Sequence, residues 1–263
     1  MANKRSRDIS GAALRNHGKR GGTGQKGEAM TPEEELEKRV TRLEAQQNYR
    51  RLVKKPAVAD SVCAAEKVRD VLTWLQRYTQ TKDPHWREAK ARSPYRRFPD
   101  KPYFRPLIEA LQREPVVFCA KSRDLMGTWV FVGFFTHDCM TNPGVEVLFQ
   151  SQTEDKSAEL LDYAKILYDR QDPDIKDLYP LAAPLAKQSR LELNFRDGNR
   201  IVGIPHGADK VRSYHPTALF IDEAAFVPDA GYSYDEAISA CKKIAVLSSA
   251  NSGWFESVVV SGE

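Results

Sequence analysis

From Pro106 onward the chain alternates short apolar runs with longer mixed stretches, and this alternation restricts the fold more than any other feature. Val116–Ala120, Val145–Gln150, Leu191–Phe195, Arg200–Ile204, Ala218–Ile221 and Ile244–Leu247 have the length and the β-branched or aromatic content of strands. Helices are expected between them, near 154–170 and 232–242. Strands alternating with helices read as an α/β fold built on a mainly parallel sheet flanked by helices. The third and fourth runs are joined across Asp197-Gly198, a hairpin turn signal. Segment 128–140 is ambiguous. Its Trp, Val and Phe favour a strand, but its length and its position after a loop favour a buried helix, the assignment adopted here.

Upstream the pattern differs. Residues 1–30 hold seven Lys/Arg against Asp8 and Glu28, with almost no large apolar residues, and read as a disordered basic tail. Two readings of the tail stand, a strand of charge lying along phosphate backbones and a solvated leader with no partner. The other 233 residues carry 33 basic and 34 acidic groups, so the net charge of +4 belongs to the tail. Residues 31–100 read as a helical region. Thr31-Pro32-Glu33-Glu34 is a helix start, with a capping Thr and Pro at the first position. That helix is expected to reach about Lys54, with Leu36, Val40 and Leu43 on a narrow stripe. Such a stripe suits a partner surface or docking on the chain's own body. A second helix is expected over about 57–79, then a Pro- and Arg-rich connection from Asp83 to Pro106.

Composition excludes several classes. With 41% hydrophobic and 29% charged residues over 263 positions, the chain is neither fibrous nor wholly disordered. The longest apolar run, Trp129–Phe135, is far short of the roughly 20 residues a membrane-spanning helix needs. The first thirty residues hold no apolar core of a signal peptide. Cys63, Cys119, Cys139 and Cys241 are scattered without a CxxC pair, which fits a reducing cytosol better than a disulfide or zinc framework. Cys119 reads as a small hydrophobe, Trp74 and Trp86 as packing residues, and His206 and His215 as loop residues rather than metal ligands.

Three groups of chemically capable residues follow strand ends, where open α/β sheets bind ligands. The first is Lys121-Ser122-Arg123-Asp124-Leu125-Met126-Gly127-Thr128. A P-loop, G-x-x-x-x-G-K-[ST], cradles phosphates with its amides, reaches them with its Lys and holds Mg²⁺ with its hydroxyl. If Thr128 takes the hydroxyl position, Gly127 stands where the lysine belongs and Lys121 stands at the first glycine. A flexible ammonium can still reach phosphates from that end of the loop; a basic turn without function is the other reading. The second group is Asp222-Glu223, ending an apolar strand. Phosphoryl transfer to water uses one acid at Mg²⁺ and another group to orient or deprotonate the nucleophile. Alone the pair is common by chance; together the two groups favour a nucleotide site. The third is Ser248-Ser249-Ala250-Asn251, placed to sense a γ-phosphate or to serve as a polar loop.

Taken in order, Lys121-Ser122-Arg123-Asp124 with Gly127-Thr128-Trp129, Phe149-Gln150-Ser151-Gln152, His206 to Arg212, Ile221 to Phe226 and Ser248 to Asn251 resemble the ATPase part of the large terminase subunit of tailed bacteriophages. The resemblance spans roughly 95–256 and implies a P-loop NTPase of the RecA/ASCE type over 101–263. In that family the Walker A lysine can move to the start of the loop, as at Lys121. The resemblance implies an ATP-driven motor that packages double-stranded DNA into a procapsid, with ATP and Mg²⁺ as cofactors. The implied partners are a portal protein, a small terminase subunit and further copies in a ring, a pentamer, with no membrane, in the cytoplasm of a bacterial host. It implies that residues 121–128 bind ATP, that Thr128 and Asp222 hold Mg²⁺, and that Arg123 senses γ-phosphate. Glu223 would activate water, Ser248 to Asn251 would couple hydrolysis to motion, and Arg212 would act on a neighbour's ATP; an Arg212 that pairs with Asp209 or binds DNA phosphate is the other reading. The family's adenine segment corresponds to Lys101-Pro102-Tyr103-Phe104-Arg105, with Arg105 where Gln is usual and with Tyr103 or Phe104 available to stack on the base. Met126 replaces a usual loop glycine.

The rivals are a helicase-like DNA-dependent ATPase and a non-catalytic nucleotide- or DNA-binding module. No second carboxylate cluster is expected, so this chain alone is expected not to cut DNA. If one Mg²⁺ joins loop and carboxylates, the strands ending at Ala120 and Ile221 lie close, with at most a third between them. Thr128 and Asp222 then lie within about 10 Å, because Mg²⁺–ligand bonds are about 2.1 Å.

Overall fold

A computed structural model describes residues 58–261. The basic tail and the helix expected over 31–54 lie outside the described residues.

The helix expected over 57–79 is two helices, α1 (Val58–Lys67) and α2 (Val71–Tyr78). Asp70 makes the break: its carboxylate accepts from the Thr73 amide at 2.8 Å and the Thr73 hydroxyl at 2.6 Å, capping α2. The 83–106 connection is also more ordered than its composition suggests. Strand β1 (Gln80–Lys82) pairs antiparallel with β2 (Tyr95–Arg97), and α3 (Phe104–Arg113) follows.

Next come β3 (Val116–Ala120), α4 (Gly127–Thr141), β4 (Glu146–Gln150), α5 (Glu154–Asp169) and α6 (Pro173–Leu178). The rest is β5 (Glu192–Asn194), β6 (Arg200–Ile204), α7 (Ala208–Arg212), β7 (Ala218–Asp222), α8 (Ala230–Ile238), β8 (Lys243–Ser248) and α9 (Trp254–Ser261). All six expected strands form one sheet in the order β3-β8-β7-β4-β6-β5. Five are parallel, and β5 alone runs antiparallel to β6, turned back at Gly198 with φ of 95°. Helix α8 begins and ends earlier than the 232–242 expected.

The ambiguous 128–140 segment is the helix α4, buried on nearly every side. A helix enclosed all round carries no amphipathic period, which is why its sequence resembled a strand. It packs on one face of the sheet, with Phe131 and Phe135 against Phe220 at ring distances of 5.3 and 5.9 Å. Helices α2 to α6 contribute to that core. Val211 of α7, Ala230 and Ala237 of α8 and Phe255 of α9 pack on the opposite face. Strand β8 lies between β3 and β7, pairing Ala120 with Ser248 and Asp222 with Leu247. The carboxyl ends of β3, β8 and β7 therefore meet at one edge of the sheet, as expected.

Candidate functional site

The chain leaves β3 through an amide of Lys121 that donates to the Ser248 carbonyl at 2.9 Å, prolonging the β3–β8 ladder into the loop. Within the loop Asp124 and Met126 hold left-handed backbone, with φ of 63° and 56°. Each such residue costs roughly 1–3 kcal/mol and persists only where surrounding structure enforces it. Met126 precedes α4 and offers no side-chain cap, so the first amides of α4 remain available to a ligand anion. At Gly127 a side chain would sit 3.1 Å from Lys121 Cδ; the glycine lets the lysine stem cross the loop mouth.

Two pairs join this loop to the end of β7. The Thr128 hydroxyl donates to the Asp222 carboxylate at 3.1 and 3.3 Å. Lys121 Nζ donates to Glu223 Oε1 at 2.6 Å. The other Glu223 oxygen accepts from the Ser249 amide at 3.2 Å and its hydroxyl at 2.8 Å. Glu223 itself has left-handed backbone, φ 52°, which turns its side chain away from the strand. Ser248 Oγ accepts from the Ala225 amide at 3.0 Å, and Asn251 Nδ2 donates to the Ala225 carbonyl at 3.2 Å. Ser248, Ser249 and Asn251 thus tie the exit of β8 to the residues around the acidic pair, and Ala250 lies between them without a side-chain bond.

The two carboxylates differ electrostatically. Burial pushes the Asp222 carboxyl up to about 6, aided by the Glu223 charge and opposed by Lys121 and Thr128. For Glu223 burial acts in the same direction, but the bonds from Lys121 and Ser249 outweigh it and hold the group below its usual range. Asp222 is only 8% exposed, and among the described residues its one side-chain hydrogen-bond partner is the neutral Thr128 hydroxyl. A buried carboxylate beside a hydroxyl, both hard oxygen donors, fits Mg²⁺, which commonly takes one or two protein ligands and completes its shell with water and phosphate.

One expected outcome follows. Asp222 binds a proton in the fold between its unfolded value of 3.8 and about 6, where the unfolded chain has released it. Stability of the metal-free protein therefore falls as pH rises through that window, by on the order of 2–3 kcal/mol, and levels off above it. Asp222→Asn is expected to flatten that part of the pH profile and to raise Tm at pH 8 while removing Mg²⁺ binding. Thermal melts from pH 4 to 8 with and without Mg²⁺ check it; an unchanged pH profile in the variant contradicts it.

The loop borders a cavity of about 630 Å³ whose lining includes Lys121, Ser122, Asp124, Leu125, Met126, Gly127 and Thr128. Its far walls come from elements the sequence did not reveal as functional: Thr81, Lys82 and Arg96 on the β1–β2 hairpin, and Glu159, Asp162, Tyr163 and Ile166 on α5. No local signal marks them, because β1 is the polar tripeptide Gln-Thr-Lys. Thr81 is 1% exposed and its hydroxyl has no hydrogen-bond partner among the described residues. Leaving a buried hydroxyl unpaired costs about 1–3 kcal/mol.

Other expected site residues lie apart. Phe104 is completely buried, edge-on to Phe98 and Tyr103, so it cannot stack on a base; this corrects the expectation from the sequence. Tyr103 is 37% exposed, and its hydroxyl donates to the Leu125 carbonyl at 3.3 Å, bracing the loop. Arg105, standing where Gln is usual, instead pairs with Asp70 at 2.9 Å. Arg123 is exposed and makes no ion pair among the described residues. Arg212 ends α7, bonded to Glu236 of α8 at 2.5 Å and near Asp209 at 3.7 Å.

Solved structures that this chain resembles in fold include phage large terminases. The crystal structure of the HK97 bacteriophage large terminase superposes with a TM-score of 0.53 over 74% of this chain and 41% of that chain, at 11% identity. The fold is the one seen in the HK97 large terminase. The ATPase domain of the Thermus phage P74-26 large terminase also matches, at TM-score 0.40 and 13% identity, over 67% of this chain and 72% of that one. The large terminase of a thermophilic bacteriophage, in complex with ADP, gives 0.42 and 14%, over 58% and 39%. This chain thus spans less than half the length of the HK97 terminase. The sequence matches no family model and no curated protein. Among the described residues, no helix is long and apolar enough to cross a membrane.

Proposed function

We propose that this chain hydrolyses ATP with Mg²⁺ and serves as the motor part of a phage machine that drives double-stranded DNA into a procapsid. The observation that carries this reading is the meeting of Lys121 with Glu223 and Thr128 with Asp222 at one sheet edge, on strands about 100 residues apart in sequence.

The roles follow from the contacts. The amides at the start of α4 and the Lys121 ammonium bind the phosphates, with Ser122 and Asp124 at the cavity wall. Thr128 and Asp222 would hold Mg²⁺, which when bound neutralises charge on the phosphate oxygens. Glu223 takes the proton of the attacking water. With Lys121 on one oxygen and Ser249 on the other, that carboxylate is fully engaged, so a triphosphate that draws Lys121 to itself frees Oε1 for water. The bond to Ser249 then links the state of the base to the β8 exit, which is how Ser248 to Asn251 would transmit hydrolysis. Arg123 is placed on the loop to meet the γ-phosphate. Arg212 acts on the ATP of a neighbouring copy in a ring, a pentamer docked on the portal with the small subunit, in the cytoplasm of a bacterial host.

Steady-state phosphate release with and without linear double-stranded DNA tests this reading. Mg²⁺-dependent turnover raised by DNA is the expected result. Absence of ATP binding and turnover contradicts it.

A further inference from the structure

Charge is unevenly sorted along the described residues. Residues 80–105, which form the β1–β2 hairpin, the connection between its strands and the approach to α3, carry eight Lys/Arg against three Asp/Glu. The other described residues carry 18 against 25. One positive stretch thus stands on a negative body, which steers a polyanion to that stretch and away from the rest. Two of its cations are occupied, Arg96 with Asp83 and Arg105 with Asp70, each at 2.9 Å. Arg87, Lys90, Arg92 and Arg97 are exposed and make no ion pair among the described residues.

The connection is an ordered turn. The Asp83 amide closes it by donating to the Pro94 carbonyl at 2.7 Å, and the Asp83 carboxylate accepts from the His85 amide at 2.9 Å. Inside it the Ala89 and Ala91 amides donate to the His85 and Trp86 carbonyls at 3.0 and 2.9 Å. A backbone fixed in advance lowers the ordering cost of binding through the cations it carries. Trp86 and Tyr95 are half-buried, with the Arg87 guanidinium 5.4 Å over one ring and that of Arg170 3.9 Å over the other. Single strands are held largely by bases stacked on open aromatic faces. Exposed cations beside covered rings suit the phosphates of a duplex instead.

We infer that the β1–β2 connection is a docking surface for the phosphate backbone of duplex DNA, with phosphates at Arg87, Lys90, Arg92 and Arg97. This deepens the proposed motor reading, on which it rests, by naming where DNA touches the chain. The same hairpin supplies Asp83, His85 and Arg96 to the cavity that the Lys121–Thr128 loop borders. A duplex held by the connection therefore engages the element that walls the proposed ATP site, which gives DNA a route to raise turnover.

The test is fluorescence anisotropy of a labelled duplex with the full chain, without nucleotide, over a range of salt concentrations. A triple variant, Arg87→Gln, Lys90→Gln and Arg92→Gln, is compared with a control that loses the same charge elsewhere, Arg69→Gln, Arg113→Gln and Lys242→Gln. Each lost phosphate contact lowers the slope of log affinity against log salt by about 0.9, so the triple variant is expected to lose about 2–3 of slope. At 0.1 M salt that is a weakening on the order of 10²-fold, the same for any duplex sequence. The control is expected to bind as the parent does. All six residues are exposed, so Tm should hold in both. The triple variant is also expected to keep its ATPase without DNA and to lose the increment that DNA adds. Parent-like duplex binding by the triple variant, or equal weakening in the control, overturns the surface. A single strand of equal length bound more tightly than the duplex overturns it as well, as does a parent chain that binds phosphatidylserine vesicles and no duplex. Duplex binding lost with these three residues in a chain that hydrolyses no ATP upholds the surface and contradicts the motor reading.

Discussion

Glu223→Gln is expected to lower ATP turnover by about 10²–10⁴-fold, the usual loss with a general base, while ATP binding is kept or tightened. The amide preserves the shape and can still accept from Ser249, so the β8 exit stays in place. It cannot take a proton from water. It also ends the ion pair with Lys121, so the lysine no longer has to leave a carboxylate at 2.6 Å before it meets phosphate. The two effects act in opposite directions on kcat and on affinity, a combination that general unfolding does not produce. Rapid-quench hydrolysis beside a binding titration reads both. A variant that hydrolyses at the parent rate removes Glu223 from this role, and one that loses binding and turnover together makes it a structural residue.

Arg212→Ala is expected to lower the ATPase of assembled rings by about 10³–10⁵-fold, the range for an arginine that stabilises charge on the transferring phosphoryl group from a neighbouring subunit. In the single chain this guanidinium is held by Glu236 and Asp209 rather than by the loop and acidic pair, so it takes no part in its own site. The pair is exposed, and its loss should alter Tm little. Mixing Arg212→Ala subunits with Glu223→Gln subunits discriminates the mechanism. Some interfaces then join an intact Glu223 to an intact Arg212, and activity returns if the arginine acts in trans. No recovery in a verified mixed ring contradicts the trans role, and normal ATPase by Arg212→Ala alone ends it.

The parts of the site that lie at strand ends were legible because strands declare themselves locally. Ala218–Asp222 is apolar until its carboxylate, and each of its five residues is buried in the sheet centre. Lys121 and Thr128 follow from the loop after β3, and the meeting of that loop with Asp222 follows from parallel strands sharing a carboxyl edge. What escaped was set by tertiary contact. The break between α1 and α2 depends on Asp70 choosing Thr73 and Arg105 over a continuing helix. The β1–β2 hairpin has three-residue strands with one buried side chain between them, Thr81, below any periodic signal. Phe104 and Tyr103 are adjacent aromatics of similar character, and only packing against Phe98 decides which one is enclosed. The strain at Met126 and Glu223 was likewise invisible, since neither is a residue type that favours left-handed backbone.

The most direct measurement is a crystal structure with a non-hydrolysable ATP analogue and Mg²⁺. The predicted result has Lys121 Nζ on a phosphate oxygen, Mg²⁺ beside Thr128 and Asp222, and Glu223 Oε1 released to face a water. A nucleotide bound elsewhere, or one at the loop with the Lys121–Glu223 pair still closed and no metal at Asp222, contradicts the account.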